Sequence, residues 1–223
     1  MRKDAGAVPP DPAGAPATSA TTTRRGLAKA DRRASLLAAA ARLFARQGFD
    51  GVSIEDLGRA AGVTGPALYR HFPSKQAVLA ALLVGASERL FAGGQAVVGE
   101  AGDDVEAIRS LVRFHVAFAL ADPDVIRVQD RDLNALAEAD QRCVRALQRS
   151  YVELWVAALV RLSPRADPAG LRLRAQATFG LLNSTPHSAR SAPPALVRPL
   201  LEEMALAALG QAQPTTGSAP RPS

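Results

Sequence analysis

From about Asp31 to Leu209 apolar side chains return every three or four residues, the spacing of helices with one buried face, and no segment alternates as a strand would. Leu36, Leu37, Ala40, Leu43 and Phe44 make the stripe of a first helix, Asp31 to Gln47, which Gly48 closes. Ser53 caps a short second helix through Ala61, with Glu55 and Asp56 in the first turn, where the helix dipole favours acids. Gly62 ends it, Thr64 caps a third helix with Pro66 in its first turn, and Phe72-Pro73 stops that one. Ser74 then caps a fourth helix, from Lys75 to about Phe91, ahead of Gly93-Gly94. Further helices are predicted over Val105–Ala121, Asp124–Leu136, Asp140–Leu162, Ala169–Asn183 and Ala195–Leu209, broken at Asp122-Pro123 and Ser163-Pro164, with a loop enforced by Pro186 and Pro193-Pro194. The expected architecture is all-α, about nine helices: a three-helix N-terminal unit over residues 28–78 and a larger helical body over 79–210. Residues 1–27 and 211–223, rich in Ala, Pro, Gly, Ser and Thr without apolar periodicity, read as a disordered leader and tail.

Composition narrows the picture. Of the 223 residues only 4% are aromatic and alanine is abundant, which favours helices over strands. Cys143 is the one cysteine, so no internal disulfide or Cys-based zinc site is expected, and the three histidines, His71, His115 and His187, are too far apart for metal-ligand spacing. No run of about 18 apolar residues suggests a membrane span, and the N-terminal charges precede no apolar signal core. The expected setting is the reducing cytoplasm. The formal charge of +6 lies wholly in the first third: residues 1–80 carry 12 basic and 6 acidic side chains, and 81–223 carry 15 of each. A basic head on a neutral body suits a polyanion-binding module, although Arg2, Lys3, Arg24, Arg25 and Lys29 also fit a solvated tail.

Residues 53–82, SIEDLGRAAGVTGPALYRHFPSKQAVLAAL, show what that head does. Two short helices joined by a tight Gly-Val turn form a helix-turn-helix, with Ile54, Leu57 and Ala61 packing on Val63 and Leu68. Thr64, Gly65, Ala67, Tyr69 and His71 then face outward, small enough at the helix start to enter a major groove about 12 Å wide. Residues 33–82, above all ARLFARQGFDGVSIEDLGRAAGV and LYRHFPSKQAVL, resemble the DNA-binding domain of the TetR family of bacterial transcriptional regulators. The resemblance implies a homodimer on double-stranded operator DNA and a helical C-terminal domain for an effector. Carried over by position, it implies that Tyr69, His71 and Lys75 meet phosphates while Thr64, Gly65 and Ala67 face bases. Ala67 offers little beyond a thymine methyl contact, and His71 alternatively orients the next helix.

The body has no comparable signature. His115, Tyr151, Trp155 and Asn183 fall on apolar faces, and with Arg127 and His187 they are the candidate effector contacts; each also fits a satisfied core residue. Arg127, Gln129 and Asn134 are candidates for an entrance. RVQDRDLNAL and LLNSTPHSA resemble patches of TetR-type regulators of lipid and acyl-CoA metabolism, implying a largely apolar effector of that type. The stripes Leu171–Thr178–Leu182 and Val197–Leu200–Leu201–Met204 are the candidate dimer face, or else pack inside the monomer. The expected function is a DNA-binding repressor released by a small molecule. The alternatives are a sequence-tolerant DNA binder without an effector and a helical enzyme. No elbow motif, phosphate loop or metal cluster supports the enzyme, so no catalytic residue, cofactor or membrane partner is expected, and Cys143 reads as a small core residue.

Overall fold

The computed structural model describes residues 18–189 and 192–210. The expected leader residues 1–17 and the tail 211–223 lie outside the described residues. Within them the fold is all-α: α1 Thr18–Gln47, α2 Ile54–Ala60, α3 Gly65–Tyr69, α4 Lys75–Gly99, α5 Asp104–Ala121, α6 Pro123–Asp132, a 3₁₀ turn Leu133–Ala135, α7 Glu138–Leu162, α8 Pro168–Asn183, α9 Thr185–Ser188 and α10 Pro194–Ala208. α1 starts at Thr18 rather than near Asp31, so ten residues of the expected leader are helical. Ala20, Arg24, Arg25 and Leu27 in this stretch are good helix formers, while its four threonines, Ser19 and Gly26 are poorer ones.

The helix ends follow their caps. Ser53 and Asp56 form a reciprocal capping box at α2: the Asp56 amide donates to Ser53 Oγ at 3.1 Å, and the Ser53 amide donates to Asp56 Oδ2 at 3.1 Å. Ser74 Oγ accepts from the Ala77 amide at 3.1 Å and starts α4. Gly48 (φ +80°) and Gly62 (φ +66°) take the left-handed turns after α1 and α2, a region that side chains rarely adopt.

α4 does not stop before Gly93-Gly94 but runs through to Gly99. The two glycines let rings close in. A Cβ on Gly93 would lie 2.2 Å from Phe114 Cζ, and one on Gly94 would lie 2.5 Å from Tyr151 Cε2. The sequence marks them as a breaker, but they serve close packing against α5 and α7. α9 is likewise unforeseen, because Pro186 suits a first helical turn as well as a loop.

Two cores result. One gathers Leu36, Phe44, Leu57, Leu68, Phe72 and Leu79 of the head with Val125, Val128, Leu136 and Val144 from beyond it. The other holds Ile108, Leu111, Trp155, Leu159, Ala175, Leu182 and Leu201. α4 feeds the first through Val78, Leu79, Leu82 and Leu83, and the second through Leu90, Phe91, Val97 and Val98. By length and composition α4 could cross a bilayer. Its apolar surface is divided instead between these two cores. Cys143, expected in the core, is exposed on α7.

Candidate nucleic-acid interface and ligand slot

In the head, α2 and α3 cross closely because Gly58 has no side chain; a Cβ there would lie 3.1 Å from the Val63 carbonyl oxygen. Leu57 and Leu68 are buried at the crossing, with Ile54, Ala61 and Val63 packed around them. That packing turns the opposite side of α3 outward. Thr64 is exposed, Tyr69 is 51% exposed, Arg70 is exposed, and Gly65, Ala67 and His71 are half-buried. Thr64 makes no capping bond with its side chain, so its hydroxyl is available to a ligand.

Lys75 is tied into the head. Its Nζ donates to the Phe49 carbonyl at 2.8 Å and lies 4.2 Å from the centre of the Phe49 ring. The ammonium group expected to meet a phosphate is fastened to the loop after α1 and keeps two further N–H donors. Arg33 stands 4.8 Å from the Phe72 ring centre in the same way. Arg70, the exposed residue at the C-terminal end of α3, makes no such contact among the described residues.

In the body, the six candidate effector contacts divide. His115, Tyr151, Trp155 and Asn183 come together. His115 is buried; its ring stacks on Tyr151 at 5.8 Å and 19° and meets Trp155 edge-on at 6.1 Å. His115 Nε2 lies 3.1 Å from Asn183 Oδ1, and Nδ1 lies 3.4 Å from the Tyr151 hydroxyl. An amide oxygen only accepts, so Nε2 carries the proton and Nδ1 accepts from Tyr151. Desolvation holds the His115 imidazole down at about 4, only partly opposed by the bond to Asn183, and burial pushes the Tyr151 hydroxyl above its usual range. Both groups are therefore neutral near pH 7.

Tyr151 and Asn183 edge a slot of about 240 Å³ between α4, α6, α7 and α8, completed by Leu90, Gln129, Gln148, Val152, Gln176 and Phe179. Trp155 is fully buried and lies outside this lining. The slot is small, and its walls are mostly apolar, as the sequence suggested, with four carboxamides set among them. Arg127 and His187 face a separate cleft with Ala45, Asp130 and Arg131, where Arg127 Nη1 donates to Asp124 Oδ1 at 3.1 Å and Nη2 to the Pro186 carbonyl. Asn134 is also away from the slot, within reach of Gln141 and Arg145. Gln148, Gln176 and Phe179 escaped the sequence reading. Their signal was spacing: Gln148 precedes Tyr151 by three residues, and Gln176, Phe179 and Asn183 follow one helical face. Among the described residues no three His, Cys, Asp or Glu side chains converge to hold a metal ion.

Residues 36–82 match the profile of bacterial regulatory proteins of the TetR family, and residues 101–187 match that of the tetracyclin repressor-like C-terminal domain. The nucleoid occlusion factor SlmA of Marinobacter nauticus is 30% identical over 152 residues, 68% of this chain and 77% of its own length. The chain belongs to the TetR family. The transcriptional repressor KstR2 of Rhodococcus jostii is 29% identical over 132 residues, covering 59% of this chain and 65% of that repressor, so the match spans just under two thirds of its length. The crystal structure of a TetR-family regulator from Bordetella parapertussis superimposes with a TM-score of 0.68 at 26% identity, over 78% of this chain and 93% of that one.

In this TetR-family chain α6 joins the slot to the head. Gln129 borders the slot, and two residues on, Arg131 Nη2 donates to the Phe44 carbonyl and Nη1 to that of Ala45 at 3.5 Å, at the C-terminal end of α1. Arg131 also holds Asp132, 3.1 Å from Nε to Oδ1 and 3.1 Å from Nη2 to Oδ2. Arg131→Ala strips these helix-end carbonyls and leaves the buried Asp132 carboxylate unpaired. Discounted for the half-exposed guanidinium, the expected loss is about 1–2 kcal/mol in urea denaturation. Arg131→Ala combined with Asp132→Asn is expected to recover part of it, and no recovery would show that the pair is not the source.

The two apolar stripes expected at the dimer face point the wrong way in part. Leu171, Thr178 and Leu182 of α8 and Val197 and Leu201 of α10 are buried within the chain. They fill the body core because α8 and α10 pack against α5, α7 and each other. The outward face carries Leu173 (68% exposed), Leu196 (60%), Leu200 (50%) and Met204 (44%). Of the stripes read from sequence, Leu200 and Met204 face outward.

Proposed function

We propose that this chain is an operator-binding repressor that works in the cytoplasm as a homodimer and leaves its DNA when a small molecule occupies the slot beside Tyr151. The observation that carries this reading is the helix α6, which borders the slot at Gln129 and grips the end of α1 through Arg131. A ligand that moves α6 moves the head. Thr64, Gly65 and Ala67 face base edges, Tyr69 and Arg70 meet phosphates, and His71 supports the turn into α4. Lys75 positions the head through Phe49 rather than touching DNA. The exposed apolar residues Leu173 of α8 and Leu196, Leu200 and Met204 of α10 form the two-fold face between protomers, since large apolar side chains left in water mark an association surface.

Selection from random duplexes is expected to enrich a two-fold-related motif, because each protomer sets one α3 in a major groove. On that duplex Tyr69→Ala is expected to weaken binding about tenfold for matched and mismatched sequences alike, with the salt dependence unchanged. Arg70→Ala is expected to lower the slope of log affinity against log salt by about one, the signature of one neutralised phosphate. If no motif is enriched, the protein binds DNA without reading its sequence and is not an operator repressor.

A further inference from the structure

What holds a guanidinium decides what it can still bind. Arg59 is held by Asp56, Arg89 by Asp122 and Arg161 by Asp104, so each of them faces a carboxylate. Arg33 is held by a ring. Its guanidinium carbon lies 4.8 Å from the centre of Phe72, and among the described residues it makes no hydrogen bond and no ion pair. A ring face attracts the positive charge but offers no lone pair, so the N–H donors of Arg33 stay open to an oxyanion. Phe72 is buried in the head core, whereas Arg33 above it is exposed. The side chains of α1 from Ala30 to Ser35 are likewise exposed, and the first buried one is Leu36, so α1 leaves the core at this point. The place matters as much as the contact. Phe72 follows Tyr69, Arg70 and His71 at the outward end of α3 and stands two residues before Ser74, the cap of α4. Arg33 therefore emerges beside the end of the reading helix.

From this placement we infer that Arg33 is a DNA-phosphate ligand, seated on the Phe72 ring before the duplex arrives. A backbone phosphate presents two oxygens that the fork of a guanidinium meets as a pair. The contact comes from α1, outside the helix-turn-helix, so it grips the backbone and reads no base. Seating the side chain in advance removes rotamer freedom that a loose arginine would lose on binding. Asp31 is the acid nearest along α1, and residues two apart on a helix point away from each other, so it does not quench the charge. A lysine at this position would keep the charge and lose the planar fork.

This inference rests on the head binding DNA through α3, and a random-sequence duplex keeps it apart from operator recognition. Anisotropy titrations of the full chain are run between about 50 and 200 mM salt on a random duplex and on one enriched by selection. Arg33→Gln is expected to lower the slope of log affinity against log salt by about one. It is also expected to weaken both duplexes by the same factor, roughly three- to tenfold, with the circular dichroism spectrum unchanged. Arg33→Lys is expected to restore the slope without the full affinity. Arg33→Met keeps an apolar stem over the ring, so Phe72 stays covered, and it is expected to behave like Arg33→Gln. A wild-type slope and affinity in Arg33→Met would make Arg33 a prop for Phe72 and overturn the inference. On the enriched duplex, single phosphates are next replaced by neutral methylphosphonates. One position in each half-site is expected to weaken the wild type and to leave Arg33→Gln unaffected. If every position that matters to the wild type still matters to the variant, no phosphate belongs to Arg33 and the inference falls. A lowered slope on the random duplex with no motif enriched would instead count against operator reading and leave the Arg33 contact standing.

Discussion

Leu200→Glu with Met204→Glu is expected to turn the protein into a folded monomer and to cut operator affinity by at least about 100-fold. Both side chains lie outward, 50% and 44% exposed, on α10, which also exposes Leu196, while α8 exposes Leu173. In the monomer the new carboxylates reach water, so the fold has no reason to fail. Across a two-fold the same carboxylates meet their own copies and lose hydration, a cost the interface does not repay. A dimer places two recognition helices on one duplex, and the second binding event is then intramolecular, commonly worth a factor of 100 to 10,000 in affinity. Light scattering gives the oligomeric state, circular dichroism the fold, and anisotropy the affinity. A folded dimer with full affinity would move the interface elsewhere. The buried partners Leu171, Thr178 and Leu182 would make a poor test, since altering them damages the body core and confuses unfolding with dissociation.

Acid is expected to weaken the fold through His115. Its imidazole titrates at about 4 when folded, because burial disfavours the charged form, against roughly 6.5 when the chain is unfolded. Above pH 6.5 neither state binds the proton and His115 adds no pH dependence. Between 6.5 and 4 the unfolded state takes a proton that the folded state refuses, so stability falls as pH falls. The loss is about 2 kcal/mol at pH 5 and about 3 kcal/mol by pH 4, where it levels off. Asp56, Glu106 and Glu153, held below the usual carboxylate range chiefly by hydrogen bonds from Ser53, Ser110 and Arg172, lose their contribution lower on the scale. Denaturation of the wild type and of His115→Gln at pH 7.5 and pH 5 isolates the histidine. The gap between them should shrink or reverse toward pH 5 by about 2 kcal/mol, and a constant gap would show that His115 takes up its proton in the folded state.

The head was the legible part because its signals are local. Ser53, Gly62 and Ser74 mark helix ends within a few residues, and the string around Tyr69, His71 and Phe72 fixes one way to pack them. What the sequence hid depends on partners far along the chain. Gly93 and Gly94 look like a helix break until Phe114 and Tyr151 are seen lying over them. Lys75 looks like a free cation until Phe49 is seen beneath it. α8 and α10 are apolar on both faces, and periodicity alone does not say which face meets the core. The slot was half legible: His115, Tyr151 and Asn183 stood out as polar residues on apolar faces, whereas single glutamines such as Gln148 and Gln176 look like ordinary surface positions.

The core beneath α1 also determines where this regulator can be cut and rejoined. Val125, Val128, Leu136 and Val144, from α6 to α7, are buried in the same cluster as Leu36, Phe44 and Leu57, and Arg131 closes the end of α1. A fragment ending near residue 78 would carry the reading helix but leave that cluster open to water on one side. Anyone grafting this head onto a different sensor would therefore have to bring α6 and the start of α7 along, or rebuild their inward faces on the host. A seam placed within α4, between Leu83 and Leu90, would keep the head cluster's own share of that helix on one side and the slot's share on the other. Chimeras joined there, with α6 taken from the head's parent, are the ones expected to keep both a reading head and a working switch.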